Sequence, residues 1–419
     1  MKNKKWPVPA IEDERFKGEG IKRFLKMRAE YEKSAFVSEG HLEVRRLGPV
    51  AFAEVIPPEE CAVTSLVRYS SGKIYGGTSG RKAHLFYYDP SPDADVVVDA
   101  GVVGENTGIT SLVTEETGKI FGATDGKNGG FLFSYSPCEV LLDKLTLKGK
   151  GLREIFDAPA EDQVFHSIVD PCHSAGKVDT LLKPFKHEGI SSLAIDNNRK
   201  ILYGLSSKNG LFFTYEIEKK KITVKEKIDE INEFSRKLLI VKNGIVYGLG
   251  YKGQIVKFDP KKSKLERLDI FAPSLKGREL YNRVDCWVFD EESGLIYGGT
   301  IDGIIFIFNP ENEEIICLGK PIDQMRIRAL TVGKDGRVFG VGGEPGKCCH
   351  LFVYEPRKRQ LRDLGVLLAT HETPWCGYEI DSAVTGKDGE IYLGESDRIS
   401  HLFIYFPQIE RRNACQKSE

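Results

Sequence analysis

The chain has 419 residues, of which 41% are hydrophobic and 29% charged, and 60 basic against 61 acidic residues leave a formal net charge of −1. This hydrophobic content is enough for a sizeable core, and the charged content excludes a membrane-embedded protein. The balanced charge provides no overall field that would gather nucleic acid or an anionic membrane. We therefore expect neither as a partner.

Two features of the sequence predict a cytoplasmic protein. The N-terminal residues contain no apolar stretch of the kind found in secretory signals, and no later segment is long enough to span a bilayer. The nine cysteines show no CxxC spacing, which favours free thiols in a reducing compartment. We expect no intramolecular disulfide.

A short motif with an aromatic residue and glycine recurs along the chain. Its seven copies are KIYGG at Tyr75, KIFGA at Phe121, ILYGL at Tyr203, IVYGL at Tyr247, LIYGG at Tyr297, RVFGV at Phe339 and EIYLG at Tyr392. Most copies are about 40–50 residues apart. Apolar runs such as AVTSLV before a copy and HLFYYDP after it supply further strands. Four short strands per repeat predict an all-β fold, a seven-bladed β-propeller of four-stranded antiparallel blades.

The ends of the chain break the repeat and predict its boundaries. The segment HLEVRRLG (41–48) is typical of a strand but has no blade of its own, and the last blade has three clear strands. Pairing between the two would close the ring and cover an exposed sheet edge. We expect a short helical extension at 1–40, a propeller at 41–407 with an insertion within 138–178, and a tail at 408–419.

The repeated residues themselves have predicted packing roles. Tyr75 and its equivalents are expected to pack between blades, and Gly76 and its equivalents to let the blades approach closely. His84, His350 and His401 each precede LF on a third strand. We expect them to make hydrogen bonds determined by the repeat rather than to form a metal site.

The innermost strands predict polar rings around a central channel, because side chains alternate across a strand. One register holds Thr64, Thr110, Ser191, Lys237, Asp285, Arg328 and Asp381; positions two residues earlier include Arg283, Arg326 and Glu379, and positions four residues earlier include Asn106, His187 and Tyr281. The charged members of the first ring come from the fourth to seventh blades. Two interpretations are open: a ring of ion pairs that satisfies a hollow axis, or a site for an anionic ligand at the channel mouth.

For the ligand interpretation, the predicted catalytic residues are His187, Tyr281, Arg283 and Arg326. The predicted substrate-binding residues are His84, Asn106, Lys237, Arg328, Trp375 and Glu379. Trp375 has two interpretations, a flat surface for a sugar ring or a cap on the core. The sequence has no His/Asp/Glu cluster with metal-ligand spacing and no dinucleotide or phosphate-loop motif, so we expect no metal and no cofactor.

The segment YGGTSG…HLFYYDP at Tyr75–Pro90, with similar segments over residues 42–407, resembles the sequences of propeller-type polysaccharide lyases, such as those that cleave ulvan or rhamnosyl-glucuronate linkages. The resemblance implies a site at the channel mouth, where arginine neutralises the uronate carboxylate. Histidine and tyrosine at such a site remove the C5 proton and protonate the leaving oxygen. His84 stands in a lyase-like place within HLF.

The leading hypothesis is a cytoplasmic enzyme, a β-eliminating lyase that takes a small acidic sugar, a uronate-containing oligosaccharide. Arginine would stabilise the enediolate because its fork matches two carboxylate oxygens, and His187 or Tyr281 would act as base or acid. The second hypothesis is a non-catalytic propeller that binds protein partners on its loops. The third is a metal-dependent sugar-lactone hydrolase, with Glu60, Asn106 and Asp381 as its metal cradle.

Overall fold

The computed structural model describes residues 37–47, 56–91, 95–137, 176–229, 235–369, 375–397 and 399–408. Regular structure within these residues consists of β-strands and two short 3-10 turns, Tyr251–Gly253 and Glu279–Tyr281. No described helix is long and apolar enough to cross a bilayer. The expected helical extension, the expected insertion and the expected tail fall almost entirely outside the described residues, so those boundaries stay predictions.

The strands form antiparallel units of four, which confirms the all-β prediction. Unit 1 comprises β2 (Ala62–Arg68), β3 (Ile74–Ser79), β4 (Lys82–Asp89) and β5 (Val96–Glu105), and unit 2 comprises β6 (Thr107–Thr114), β7 (Ile120–Gly126), β8 (Leu132–Ser136) and β9 (Lys177–Leu182). Unit 3 comprises β10 (Ile190–Asp196), β11 (Ile201–Ser206), β12 (Leu211–Glu216) and β13 (Lys221–Lys227), and unit 4 comprises β14 (Ser235–Ile240), β15 (Val246–Leu249), β16 (Gln254–Asp259) and β17 (Lys264–Phe271).

The later units follow the same pattern. Unit 5 comprises β18 (Val284–Phe289), β19 (Ile296–Thr300), β20 (Ile305–Asn309) and β21 (Glu314–Gly319), and unit 6 comprises β22 (Ile327–Val332), β23 (Val338–Gly342), β24 (His350–Glu355) and β25 (Gln360–Val366). Unit 7 comprises β28 (Ile380–Thr385), β29 (Ile391–Glu395), β30 (His401–Phe406) and β1 (His41–Arg46). A small sheet of β26 (Leu368–Ala369) and β27 (Trp375–Cys376) connects units 6 and 7. A single residue pair, Ser79 with Gly108, joins units 1 and 2 into one larger sheet.

The N-terminal strand β1 completes the last unit. It pairs antiparallel with β30, from His41 opposite Phe406 to Arg46 opposite His401. This pairing, predicted from the orphan strand, is confirmed over the whole of β1. The outer edge of β30 is thereby covered by a strand from the opposite end of the described chain.

Neighbouring units pack through the first strand of each unit, here called its innermost strand, and through aromatic side chains. The innermost strands contact in chain order, from β2 through β6, β10, β14, β18 and β22 to β28, and β28 also contacts β2. The aromatic residue of the repeat motif contacts an aromatic residue on the third strand of the next unit in the pairs Tyr75–Tyr135, Tyr203–Phe258, Tyr247–Phe308, Tyr297–Tyr354, Phe339–Tyr405 and Tyr392–Tyr88. The predicted packing of the Tyr75 series between units is therefore confirmed.

The glycine that follows this aromatic residue has a different role from the predicted one. Gly76 lies opposite Phe86 within its own unit, and a Cβ at Gly76 would lie 2.1 Å from the Phe86 ring. The next glycine, Gly77, is the one that faces the neighbouring unit, since its Cβ would lie 2.4 Å from Ile109. The Gly76 series therefore makes room for a ring inside the sheet, and close approach between units depends on Gly77.

Each innermost strand carries a register irregularity at the same place. Thr64, Thr110, Ser191, Asp285, Arg328 and Asp381 each fall where the pairing skips one residue, and a longer shift in β14 includes Lys237. A β-bulge re-aims the side chain that it carries. In units 1 and 2 the bulge hydroxyl donates to the next unit, from Thr64 to Ile109 O and from Thr110 to Ile190 O, both at 2.5 Å. In units 5 to 7 the same position carries a charge.

Candidate functional site

A cleft of about 570 Å³ lies where β18 and β22 begin. Its lining consists of Lys237, Arg278, Arg283, Val284, Asp285, Ile301, Met325, Arg326, Glu344 and Pro345. Four cations and two carboxylates thus face one cavity. The second-to-third-strand loop of unit 6 supplies Glu344 and Pro345, and the bulge of β18 supplies Asp285. The cleft is basic although the chain as a whole is nearly neutral.

Arg326 is held at the start of β22 by one carboxylate. Its Nε donates to Oδ2 of Asp285 at 2.9 Å, and its backbone N–H donates to Ile301 O at 3.0 Å. Burial opposes the charged form of Arg326, but the hydrogen bond and charge of Asp285, together with the charges of Asp381 and Glu379, outweigh burial and raise the pKa of the guanidinium. Arg326 also has φ +67, a strained conformation for a residue other than glycine. The cleft therefore contains a permanently charged arginine in a fixed position.

Two further cations of the cleft have no acidic partner among the described residues. The Arg283 side chain is exposed and makes no ion pair there, and the same holds for the half-buried Lys237. These two residues and Arg326 were predicted from the sequence, and the structure brings all three to one cavity. Unpaired cations in a concave site repel one another, so an anion is the group that would relieve them.

Arg328 and Glu379, both predicted to bind substrate, belong instead to an ion-pair cluster. Arg328 is 5% exposed and its Nη2 lies 2.6 Å from Asp381 Oδ1 and 3.4 Å from Glu379 Oε2. Ser396 donates to the other oxygen of Asp381 at 2.6 Å. The sequence left two interpretations open, and these residues match the ring of ion pairs rather than the ligand site.

His84 is enclosed between two carboxylates in unit 1. Its Nδ1 lies 2.8 Å from Asp99 and its Nε2 lies 3.1 Å from Glu60. Burial favours the neutral ring, but the hydrogen bonds and negative charges of Asp99 and then Glu60 together outweigh burial and raise the pKa of His84. This side chain is 6% exposed and does not line the cleft.

The other two histidines of the HLF series make the same kind of bond. His350 Nδ1 lies 2.9 Å from Asp363, and His401 Nδ1 lies 3.0 Å from Glu395. Burial raises the pKa of Glu395, although His401 opposes that rise. The expectation of hydrogen bonds determined by the repeat agrees with all three. The described residues contain no group of three or more side chains arranged to hold a metal ion.

Trp375 caps the core beside the His401–Glu395 pair. Its Nε1 donates to Glu395 Oε2 at 2.9 Å, and its ring centroid lies 4.1 Å from that of His401. The neighbouring Cys376 forms a disulfide with Cys348, with Cα atoms 6.3 Å apart. The expectation that all cysteines are free thiols is therefore wrong for this pair, which lies far apart in sequence and meets only through the packing of units 6 and 7.

Three other predicted residues lie outside the cleft lining. His187 is exposed before β10, and Asn106 is exposed at a turn with φ +50. Tyr281 is 65% exposed in the 3-10 turn and contacts the lining through Arg278, whose Cζ is 6.0 Å from the Tyr281 ring centroid. Arg278 itself was not predicted from the sequence, since it lies between β17 and β18 in a segment without a counterpart in the repeat.

A larger groove of about 1020 Å³ lies at the opposite ends of the innermost strands. Its lining carries six carboxylates against four cations, and two of the cations are paired within it: Arg337 lies 2.7 Å from Asp335, and Lys358 lies 2.7 Å from Glu355. The cleft at β18 and β22 is smaller, but its lining has more cations than carboxylates. We therefore take the cleft as the candidate functional site.

No protein-family model matches the sequence, and no curated protein matches it. A solved structure does share the fold: the extracellular domain of a protein described as a one-component system of B. thetaiotaomicron, at 16% identity and a TM-score of 0.57. The match covers 86% of this chain and 39% of that one, so this chain corresponds to well under half of its neighbour. The likeness concerns the fold alone, and nothing in it points to polysaccharide lyases.

The comparison corrects the predicted location. The sequence led us to expect a cytoplasmic protein, but the solved domain with the same fold is extracellular. The Cys348–Cys376 disulfide agrees with the correction, because disulfides persist mainly in oxidising compartments. The cytoplasmic prediction is abandoned.

Proposed function

We propose that the seven units form a seven-bladed β-propeller, closed by the pairing of β1 with β30. Support comes from the contact of β28 with β2, which returns the series of innermost strands to its start. The aromatic contact between Tyr392 of unit 7 and Tyr88 of unit 1 continues the series found between the other units. In this architecture the cleft lies at one mouth of the central channel, where propellers bind small molecules.

We propose that the cleft binds an acidic saccharide and that the protein is a β-eliminating lyase of uronate-containing oligosaccharides. The observation that carries the binding proposal is the presence of Lys237 and Arg283, without acidic partners among the described residues, beside the anchored Arg326. A uronate carboxylate offers two oxygens to the planar guanidinium fork. Each such charge-assisted contact contributes about 1.5–3 kcal/mol.

The chemistry proposed for elimination uses the same cations. Removing the proton beside a carboxylate builds charge on its oxygens, and fixed guanidinium groups stabilise that charge more in the transition state than in the substrate. Tyr281 is the better supported proton-transfer group, because its ring lies 6.0 Å from Arg278 of the lining, whereas His187 is exposed before β10 and is not a lining residue. Tyr281 would accept the C5 proton as a phenolate, or donate its own proton to the leaving oxygen as a phenol.

A second candidate is binding without turnover. Among the residues that the structure describes, the cleft lining contains no histidine and no tyrosine, the residue types that most often transfer protons in lyases of this kind. A non-catalytic propeller with an acidic-ligand cleft agrees with that lining. The sugar-lactone hydrolase gains no such support, because Glu60 and Asp381 of its supposed metal cradle are engaged by His84 and Arg328 in separate clusters.

One experiment tests both candidates. Purified protein is titrated by calorimetry with a glucuronate-containing tetrasaccharide and with its carboxyl-reduced, neutral form, and the absorbance of an unsaturated uronate product is followed in parallel. Arg283→Ala should weaken binding of the acidic sugar, and Arg357→Ala, at an exposed site in the opposite groove, should not. Binding with product supports the lyase, and binding without product supports the binding protein. Equal affinity for both sugars contradicts the proposed function.

A further inference from the structure

Arg278 reaches the cleft from a segment that the repeat does not supply. Asn282 closes that segment, since its Nδ2 donates to Ala272 O at 2.7 Å. Inside it, the Arg278 N–H donates to Leu275 O and the Tyr281 N–H donates to Arg278 O, both at 2.9 Å. The backbone of Arg278 is therefore held by hydrogen bonds within its own loop.

The guanidinium of Arg278 is held by a fully buried carboxylate. Its Nε lies 2.7 Å from Oδ1 of Asp302, whose side chain is 0% exposed, whereas the Arg278 side chain is 41% exposed. The other oxygen, Asp302 Oδ2, is buried without a hydrogen-bond partner among the described residues. Burying a carboxylate is costly unless a cation compensates it. The burial of Asp302 is therefore unfavourable by itself, and its one ionic contact among the described residues is with Arg278.

The turn that carries Asp302 is fixed to the backbone of two other cleft residues. Ile301 N–H donates to Arg283 O, and Arg326 N–H donates to Ile301 O, both at 3.0 Å. Gly303 follows at φ +78, where a Cβ would lie 2.6 Å from Gln324 O. The turn has little room to move, so Asp302 meets Arg278 at a fixed place.

Arg278 and Arg326 are held in the same manner. Each uses Nε for a carboxylate, Arg278 for Asp302 and Arg326 for Asp285. The Nη atoms of both make no hydrogen bond with any described residue. Arginine recognises carboxylates through neighbouring N–H groups. Each guanidinium therefore keeps its Nη donors for a ligand, while the carboxylate bonded to its Nε sets its orientation.

We propose that Arg278 is a specificity-determining residue that binds the carboxylate of the ligand, and that Asp302 is a positioning residue that holds Arg278 in the required orientation. This inference rests on the proposed function of the cleft as an acidic-saccharide site. It assigns the discrimination between acidic and neutral sugars to Arg278, which lies outside the repeat, and to Asp302 in the second-to-third-strand loop of unit 5.

The test uses the full chain, the same acidic tetrasaccharide and its carboxyl-reduced form, and calorimetry. Arg278→Lys and Asp302→Asn should each weaken acidic-sugar binding about tenfold, equivalent to about one charge-assisted contact, and leave the weak binding of the neutral sugar unchanged. The double variant should lose little more than either single one, because both changes remove the same contact. Asp196→Asn and Arg199→Lys are the matched controls: that arginine is 33% exposed beside an aspartate that is 3% exposed, at the other end of the strands.

The outcomes separate this inference from the proposed function. If both variants bind the acidic sugar like the wild type while Arg326→Ala loses binding, the inference is overturned and the proposed function stands. If the wild type does not prefer the acidic sugar, the proposed function fails and the inference fails with it. If Asp302→Asn lowers the melting temperature, Arg278→Lys, which retains a cation beside Asp302, decides the matter alone.

Discussion

Arg328 Nε donates to Asp381 Oδ1 at 2.9 Å across the interface between units 6 and 7, and Arg328 Nη2 lies 2.6 Å from the same oxygen. Two residues earlier, Arg326 is 38% exposed and has a single ionic contact, with Asp285. The two arginines belong to neighbouring polar rings, yet one is enclosed by carboxylates and the other faces an open cleft. Their replacement should therefore have different consequences.

Arg328→Ala should lower the free energy of unfolding by about 2–3 kcal/mol, because it leaves Asp381 and Glu379 without their shared cation. Arg326→Ala should cost about 1 kcal/mol or less, since the Arg326 side chain is 38% exposed against 5% for Arg328, and should abolish binding of an acidic sugar. Denaturant unfolding and calorimetry on the two variants measure both quantities. A stability loss at Arg326 that equals the loss at Arg328 would make Arg326 structural too.

The pairing of β1 with β30 should carry much of the stability. Val44→Pro removes a backbone N–H and distorts the ladder opposite Phe403, and we expect a loss of about 3 kcal/mol or more. Ile316→Pro is the control, because β21 is the outer strand of unit 5 and joins no chain ends. Thermal unfolding compares them. A smaller effect at Val44 than at Ile316 would refute the proposed closure.

The enclosure of His84 predicts a dependence of stability on pH. Its pKa is raised in the folded state, so its contribution is fully present below the unfolded value of about 6.5 and is lost as the pH rises through the folded pKa. The groups that face it are Asp99 and Glu60, with Arg81 3.8 Å from Glu60.

We therefore expect the free energy of unfolding to fall above about pH 6.5 in the wild type, and His84→Gln to flatten that fall. Denaturant titrations across this range measure the slope. His350→Gln removes a more exposed histidine, at 25% exposure, and is the control. An unchanged slope in His84→Gln would show that another group is responsible.

The glycine that faces a ring inside each sheet should tolerate no side chain. A Cβ at Gly122 would lie 2.1 Å from the Phe133 ring, so Gly122→Ala should destabilise the protein by about 3 kcal/mol through overpacking. Adding Phe133→Leu should restore part of that loss, because the smaller side chain makes room. Melting curves of the single and double variants test this, and the absence of any rescue would place the strain elsewhere.

Much of the fold could be predicted from the sequence because its determinants are local and repeated. A strand needs only alternation and turn residues over a few positions, so seven copies of one motif were enough to predict units of four strands. The orphan strand at His41–Arg46 and the three-stranded end at His401–Phe406 predicted each other as partners. The grouping of Lys237, Arg283 and Arg326 also followed, because the register of the innermost strands orders their side chains along one axis.

Other features were decided only by the tertiary structure. The sequence placed Asp285, Arg328 and Asp381 in one ring, but the distances between neighbouring units determine that Arg328 pairs with Asp381 and that Asp285 pairs with Arg326. Such choices depend on ångström-scale separations across interfaces, which strand periodicity does not contain.

The contacts farthest from the repeat were the least predictable. Arg278 meets Asp302, and Cys348 meets Cys376, only after a loop and a packed interface bring them together. The role of Gly76 was misjudged for a related reason, since its neighbour Phe86 is set by the pairing of β3 with β4. The sequence by itself determined the strands, their number per unit and the basic character of the site. The packing of units decided which charges are paired and which remain for a ligand, because pairing depends on distance in space.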